Sequence, residues 1–449
     1  MSAPAMGMDT GEAVPTRGRI ARSVRMQSRI GFAMLAGVLI YLAYAWTAFD
    51  VSGLIASARP ERAALLATDA VAHKVHVEKS LRFDKLVIAV EGERTATYKT
   101  PPEWVDIDGE RVRVDLGDGY TALIEGRTVI LNAPDYGEIR VTATKDGVET
   151  ELPAGEQPDW LRATDAKFDA RPSLAQRVQV SRAKIEVHRY FLGWENFFFP
   201  FDSPLAALSF GEVTDLVFDG RRLDPERSNA ALVFRSFWEN PDWQHGNVFV
   251  ALLETLLMAV LGTFTAAFVG LPLAFLAARN FTPSGTLRFI VRRVFDFLRG
   301  IDMLIWSLIF IRAFGLGPLT GALAIAFTDT GTLGKLFSEA LENIDRKQVE
   351  GVNATGASKL QTYRFGVIPQ ILPIFVSQGL YYLESNTRSA TVIGALGAGG
   401  IGLMLVETMR TSRDWENTLY IIILTILLVI AMDNLSGLLR RRLIRGKPD

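Results

Sequence analysis

The chain divides into long stretches of apolar residues and stretches in which apolar and polar residues alternate. An uncharged run of 20 residues extends from Ile30 to Phe49, and the run 248–278 carries a single charge, Glu254. A helix of that length rises about 30 Å, which matches the hydrocarbon thickness of a bilayer. Further apolar stretches lie at 295–315, 318–336, 369–395 and 418–437. The pattern predicts six membrane-spanning helices, the first over 30–49.

Residues 50–246 contain no comparable apolar run and have the character of a water-soluble domain. Alternation of apolar and polar residues predicts short strands at 85–90, 111–116, 128–131 and 139–142. Asp108-Gly109 and Asp146-Gly147 lie between such runs as hairpin turns. We therefore expect a small antiparallel β domain over about 75–152, a helical piece near 174–190 and an interfacial aromatic cluster at 191–201.

The distribution of arginine predicts the orientation of these helices. Basic residues precede the first span, follow the second at 279–299 and close the chain at 440–447. Loops rich in arginine remain in the cytoplasm, so 1–29 and 441–449 are expected inside and 50–246 outside. The outside is the periplasm in a Gram-negative cell and the extracellular space otherwise. A cleaved signal peptide is the alternative for 30–49, but the apolar run exceeds the usual length and lacks a small-residue cleavage site. The expected location is the inner (plasma) membrane, with multiple crossings.

Composition excludes several classes of protein. The chain has 48 Lys and Arg against 49 Asp and Glu, so no basic surplus indicates nucleic-acid binding. The absence of Cys excludes disulfide scaffolds and thiolate metal sites. Its four histidines form no ligand pattern or catalytic triad, so we expect no metal, no cofactor and no enzymatic activity in this chain.

A polar segment at 338–369 lies between the apolar stretches of the C-terminal half of the chain. Its pattern predicts two short helices separated by Gly356, with Pro369 opening the next span. Such a compact knob suits docking to a partner, although an ordinary helical connector has the same pattern. Physical reasoning alone leaves both interpretations open.

Several motifs occur in order over roughly 239–440. They read FGLGP at 314–318, VEGVNATGA at 349–357, Ile368-Pro369, ESNTRSATVIG at 384–394 and GAGGIG at 397–402. The second resembles the EAA loop of ABC-importer permeases, with Gly351 and Val352 in place of the two alanines, and the full set is similar to phosphonate-importer permeases. The resemblance implies a mainly α membrane protein with a type I importer core at 247–440 and a coupling loop at 338–369. The extracytoplasmic domain with a small β-rich part lies outside the resemblance and is predicted from the residue pattern alone.

The resemblance also implies partners and roles. The coupling helix, which would enter a separate ABC ATPase subunit, comprises Glu350, Gly351, Val352, Ala354, Gly356 and Ala357. An extracytoplasmic phosphonate-binding protein, a homodimer within membrane lipid, and alternating access for a small anionic substrate are further expectations. Phosphite, phosphate or another small solute is the alternative cargo, and a membrane-anchored sensor or binding module is the alternative from another class.

Two stretches of the sequence resemble nucleotide-binding motifs but lack residues or context that those motifs require. The stretch 329–336 has Asp329 where a P-loop begins with glycine and Leu336 where a magnesium-binding hydroxyl belongs. The glycines at 397–402 match a dinucleotide fingerprint but follow an apolar helix rather than a strand. We interpret them as a break that acts as a gate or hinge, formed by Gly394, Gly397, Gly399, Gly400 and Gly402.

Charged residues inside the fifth span need an explanation. Glu384 and Arg388 are spaced for an ion pair along one helix, which is the structural interpretation. The functional interpretation is that a translocation path for an anion is lined by Glu384, Ser385, Asn386, Arg388 and Ser389. For Glu254 and Arg312, snorkelling or pairing between helices is expected.

Overall fold

The computed structural model describes residues 17–219, 222–411 and 414–445. The chain separates into two compact units, and the division in the sequence falls between Ala64 and Leu65. Parts of the predicted cytoplasmic segments, 1–16 and 446–449, lie outside the described residues. In the first unit, α1 (Arg17–Ala48) contains residues 30–48 of the predicted first span and is followed by α2 (Val51–Ser57). Helix α3 (Pro60–Val71) crosses the boundary between the units. From Met26 to Ala48, α1 is long and apolar enough to cross a membrane.

The second unit opens with twelve strands in two antiparallel sheets of six. Sheet A has the order β2-β1-β12-β11-β10-β9, and sheet B runs β3 to β8 in sequence order. Their bounds are β1 (Ala72–Ser80), β2 (Lys85–Val90), β3 (Val105–Asp108), β4 (Arg111–Gly117), β5 (Tyr120–Glu125), β6 (Thr128–Ala133), β7 (Gly137–Ala143), β8 (Val148–Glu151), β9 (Leu161–Ala163), β10 (Lys167–Ser173), β11 (Gln176–Ser181) and β12 (Lys184–Leu192).

Alternation along the strands creates the core between the sheets. In β4, Val112, Val114 and Leu116 are buried while Arg111 and Arg113 are exposed. Strands from the two sheets bury their apolar faces in one common hydrophobic cluster. All four predicted strands and both predicted hairpins are confirmed.

Two expectations for this domain were wrong. The predicted helix near 174–190 is strand β11 and most of β12, whose residues up to Tyr190 are all buried or half-buried. The β domain extends over 72–192 rather than 75–152, because β1 pairs with β12 at the far end of the domain. A pairing between strands so distant in sequence leaves no local pattern to detect.

The rest of the second unit is helical. The helices are α4 (Phe210–Phe218), α5 (Asn229–Trp238), α6 (His245–Ala277), α7 (Gly285–Gly300), α8 (Met303–Phe314), α9 (Pro318–Glu342), α10 (Arg346–Ala354), α11 (Lys359–Thr362), α12 (Ile368–Ile393), α13 (Gly400–Thr411) and α14 (Trp415–Arg445). Single π-helical turns at Tyr363–Val367 and Gly394–Ala398 flank α12.

Helices α6 and α9 form the centre of this half. A Cβ added at Gly262 would lie 2.6 Å from the Ile325 side chain, and one at Gly270 would lie 3.3 Å from the backbone of Gly334. Glycine thus lets two helix backbones approach closely, the usual solution within membranes, where apolar burial alone does not hold helices together.

The predicted span at 295–315 is two helices rather than one. Ile301 is extended, and the Asp302 carboxylate begins α8 by accepting a hydrogen bond from the backbone N–H of Leu304 at 2.8 Å. Helix α8 has 12 residues and is too short to cross a bilayer alone. In the described ranges four helical stretches are long and apolar enough to span, namely Met26–Ala48, His245–Ala277, Lys359–Ala398 and Trp415–Leu443. Six crossings therefore remain a prediction.

Candidate functional site

The polar segment forms the knob that its sequence predicts. Asp345 caps α10 by accepting from the N–H of Lys347 at 2.9 Å, and Ser358 begins α11 with a reciprocal capping pair to Gln361. Between them Gly356 has φ +80°, a left-handed backbone conformation that residues other than glycine rarely adopt. The glycine therefore sets the angle between α10 and α11.

The base of the knob is stabilised by Glu342. This residue is not among those selected from the sequence. Its Oε1 accepts from the backbone N–H of Arg279 at 2.7 Å and from the guanidinium groups of Arg292 at 2.8 Å and Arg288 at 3.2 Å. These bonds join the end of α9 to α7 and to the end of α6. A carboxylate shared by three donors from distant segments has no signature in a single sequence.

The knob presents an exposed, partly apolar surface. Leu360 is 78% exposed and Phe365 62% exposed. A shallow depression of about 620 Å³ between α10 and α11 includes Gly351, Val352 and Gly356 in its lining, together with Ala357. The exposed residues Glu350 and Ala354 flank it on α10. Exposed apolar side chains close to a depression are typical of a protein-binding surface.

In α12 the residues selected for the translocation path lie on two different faces. Arg388 Nη2 lies 3.1 Å from Glu384 Oε1, with the Arg388 side chain 54% exposed and that of Glu384 15% exposed. Ser389 donates to the Ser385 carbonyl one turn below at 3.3 Å, and both serines are half-buried.

Asn386 is placed differently from the other path residues. It is 1% exposed, and its side-chain amide donates to Thr263 Oγ1 of α6 at 2.8 Å and to the Asp329 carboxylate of α9. In this conformation Asn386 therefore ties together three helices, whereas Arg388 is exposed and Glu384 lies half-buried beside it.

The glycine segment makes a sharp reversal between α12 and α13. Gly397, Gly399 and Gly400 have positive φ. A Cβ at Gly394 would overlap the Gly399 carbonyl, and one at Gly402 would overlap the Thr391 carbonyl. Each of the five selected glycines is thus required either by backbone conformation or by close backbone contact.

Glu254 holds this reversal in place from α6. Its Oε2 accepts from the backbone N–H of Gly400 at 3.0 Å, and the neighbouring Thr255 Oγ1 accepts from the N–H of Ile401 at 2.9 Å. Both bonds fall at the start of α13, where backbone N–H groups have no partner within the helix and the helix dipole favours negative charge. The charge inside the apolar run is therefore a helix cap.

Helix α6 separates the knob from the β domain. At its beginning, His245 Nε2 donates to the Phe197 carbonyl at 2.7 Å. Just past its end, Asn280 donates to the Glu342 carbonyl at 3.2 Å, at the base of the knob. A helix of 33 residues is about 50 Å long, so the two regions lie at opposite ends of the helical half.

The β domain is firmly joined to the helices near α6. Asp242, which is buried, accepts from the backbone N–H groups of Arg94 and Thr95 at 2.6 and 3.0 Å and from the Thr95 hydroxyl at 2.7 Å. The predicted aromatic cluster contributes too, since Phe197 contacts the rings of Trp243 and Tyr420.

A cavity of about 540 Å³ lies between sheet A and α13. Its lining is rich in carboxylates, with Glu91 and Glu93 from the β domain and Glu407 and Asp414 from the helical half. Burial raises the pKa of Glu93 to about 9, against the effect of a hydrogen bond from Asn196. Burial also raises the pKa of Asp414.

Two of the four histidines face each other between neighbouring strands of sheet A. His76 and His188 pair across β1 and β12 with ring centroids 6.0 Å apart, and burial lowers the pKa of His188 to about 3. Within 17–219, 222–411 and 414–445, no group of three or more His, Asp or Glu side chains is placed to hold a metal ion. The rejected P-loop stretch lies inside helix α9 and offers no phosphate-binding loop.

Comparison with known proteins places residues 270–445 in the family of binding-protein-dependent transport system inner membrane components. The chain is 37% identical over 190 residues to a phosphite transport system permease protein, PtxC, of Stutzerimonas stutzeri, covering 42% of this chain and 69% of that one. It is 47% identical over 122 residues to a candidate cryptic phosphonate transport system permease protein, PhnE2, of Escherichia coli K12, covering 27% and 99%. It is 38% identical over 192 residues to a phosphate-import permease protein, PhnE, of Mycolicibacterium smegmatis, covering 43% and 36%.

Proposed function

Because the chain belongs to the family of binding-protein-dependent transport system inner membrane components, we propose that it is the permease subunit of an ATP-driven importer that moves phosphonate into the cytoplasm. The observation that carries the proposal is the exposed knob at 346–362, which has the coupling-loop pattern and lies about 50 Å along α6 from the β domain. A separate ATPase subunit would bind the knob on the cytoplasmic side, and a soluble binding protein would deliver cargo on the other side.

The coupling surface would consist of Glu350, Gly351, Val352, Ala354, Gly356 and Ala357. Its exposed apolar neighbours Leu360 and Phe365 support this assignment. At the base of the knob, Glu342 bonds to α7 and to Arg279 just past the end of α6, so a push from the ATPase would reach the helix core. Two copies of this chain, alternating between inward-facing and outward-facing arrangements, complete the proposed mechanism.

Cargo recognition is assigned to the exposed face of α12. Arg388 is exposed and paired with a Glu384 carboxylate at 3.1 Å. A guanidinium in such a pair is able to exchange the carboxylate for a phosphonate or another oxyanion with similar hydrogen-bond geometry. Phosphite and phosphate are the second candidates, supported by the names of two relatives.

Reconstituted transport tests the proposal. Vesicles containing this chain, its ATPase and its binding protein should take up labelled methylphosphonate only with ATP, and Glu350→Arg should abolish uptake, because it reverses a charge at the ATPase contact. Glu149→Arg, the same change on an exposed position of β8, should transport normally. Unchanged uptake in Glu350→Arg, or ATP hydrolysis by the purified chain alone, would refute the docking role. Competition with unlabelled phosphite and phosphate decides among the cargos.

A further inference from the structure

The segment just before α6 exposes three phenylalanines. Phe210 and Phe218 at the two ends of α4 are 81% and 85% exposed, and Phe234 in α5 is 62% exposed. Aromatic side chains that remain uncovered within so short a segment are unfavourable in water and indicate a missing apolar contact.

Helix α4 has distinct apolar and polar faces. Phe210, Thr214 and Phe218 are spaced four residues apart and share one exposed face, whereas Glu212 projects from the opposite side. Its one buried residue, Val213, lies between these faces. The helix therefore has an apolar face that no part of the described chain covers.

Helices α4 and α5 form a fixed hairpin. The Asn229 amide donates to the Leu216 carbonyl at 2.8 Å, and its oxygen accepts from the Leu223 N–H at 3.1 Å. Asn229 is 4% exposed, so these bonds are shielded from water. The exposed aromatic residues are thus held in a defined geometry.

The apolar face of α5 continues onto a membrane-spanning helix. Phe234 stacks on Trp238 at 5.6 Å, and Trp238 lies 5.4 Å from Phe249 of α6. A Cβ at Gly246 would lie 3.0 Å from the Trp238 carbonyl, so this glycine lets α5 sit directly on α6. From Phe249 the exposed stripe runs on through Leu253 and Leu257, each 49% exposed.

We propose that the α4–α5 hairpin lies in the membrane–water interface, with Phe210, Phe218 and Phe234 inserted among the lipids of the outer leaflet. Continuity with the exposed stripe of α6, which is long and apolar enough to span the membrane, selects lipid rather than a soluble protein as the occupant. Phenylalanine is also among the residues that form the apolar face of helices lying in this interface. The inference rests on the proposed orientation of α6 and is independent of the cargo.

The charge of the hairpin identifies the type of lipid contact. Residues 210–239 contain six acidic and four basic residues. Attraction to anionic headgroups requires a basic excess, which this segment lacks. Insertion is therefore driven by the apolar face and does not depend on anionic lipid.

Because the chain has no cysteine, single-cysteine labelling gives a direct test. Phe218→Cys and Phe234→Cys carry a fluorescent probe to the proposed lipid-facing side, and Glu212→Cys and Arg235→Cys, both exposed, are the matched controls on the same helices. The full chain is reconstituted in phosphatidylcholine vesicles with or without lipids bearing a shallow nitroxide quencher. We expect the two phenylalanine positions to lose most of their emission and the controls to retain it, with the same result when phosphatidylglycerol is included.

Two outcomes would overturn the lipid assignment. One is equal quenching at all four positions. The other is a shielded probe at position 218 that lipid quenchers do not reach, which would mean that a second copy or another protein covers this face. Thr214→Cys provides a further probe on the same face of α4 should Phe218→Cys not fold. The measurement needs neither ATP nor cargo, so its failure leaves the transport proposal to the uptake assay.

Discussion

Glu254 illustrates how one residue acquires its role from the fold. Its position in an apolar run predicts snorkelling or pairing between helices, but its carboxylate caps the backbone of α13 at Gly400. Glu342 has a comparable structural role at the other end of α6, where three donors meet it. Both are acidic residues that hold backbone or arginine donors from distant segments, and neither belongs to the motifs that indicate the family.

Removal of the Glu254 side chain should loosen the start of α13. We expect Glu254→Ala to lower the free energy of unfolding by about 1 kcal/mol, as for loss of a helix cap. Glu254→Gln, which retains an oxygen acceptor, should lose less. Thermal unfolding of the purified protein measures both, with Glu407→Ala on the exposed side of α13 as the control. Equal stability of Glu254→Ala and wild type would show that the cap at Gly400 does not stabilise the helix.

At the level of elements, the reversal between α12 and α13 depends on glycine at several positions. Three residues there have positive φ, and two others meet carbonyl groups where a Cβ would sit. The result is a short helix folded back along the end of α12. Its tight geometry agrees with a hinge or gate, which stays a prediction until movement is measured.

Gly402→Ala should disrupt this reversal. The added methyl group would overlap the Thr391 carbonyl, and backbone atoms on both sides leave little room to adjust. Gly379→Ala, within α12 and with no atom within 4 Å of the new Cβ, is the matched control. We expect lower thermal stability and reduced uptake for Gly402→Ala, whereas Gly379→Ala should be stabilised by about 0.5–1 kcal/mol because alanine favours helix. Indistinguishable behaviour of the two variants would contradict the packing argument.

In the whole second unit, the β domain and the helices are coupled by buried polar contacts. Asp242 binds the loop at Arg94 and Thr95, and Glu93 lies in the same loop beside an acid-lined cavity. The β domain is therefore attached near the start of α6 and close to α13, at the end of the helical half opposite the knob. Changes at this junction should affect the stability of the unit.

The raised pKa of Glu93 predicts how that stability varies with pH. Burial raises the pKa from 4.5 to about 9, so the folded state favours the protonated carboxyl. The stabilisation from this protonated carboxyl is fully present below the pKa that Glu93 has in the unfolded chain. It is lost as pH rises through the pKa that Glu93 has in the folded protein. We expect the wild-type Tm to decrease between these two values, and Glu93→Gln to decrease less and to be more stable at the alkaline end. Differential scanning fluorimetry over this range, with Glu149→Gln as the control, tests the prediction, and parallel curves for wild type and Glu93→Gln would contradict it.

Local pattern was sufficient for some elements and insufficient for others. Strands at 85–90 and 111–116 were predicted because each buries one face, and the knob because Gly356 and Pro369 interrupt the helical pattern. Strands β11 and β12 were mistaken for a helix, and the span at 295–315 concealed a break at Asp302. In each failure the deciding interaction was a pairing or a cap whose strength depends on its surroundings.

The sequence by itself determined the apolar helices, the polar knob and the motifs that resemble phosphonate-importer permeases, because hydrophobic length, glycine and proline act locally. Tertiary structure alone decided that Asn386 joins α6, α9 and α12 and that Glu254 caps α13. It also decided that β1 pairs with β12 and that the aromatic stripe of α5 continues onto α6. These contacts join residues that are distant in the chain, and only the folded backbone brings their donors, acceptors and rings within reach.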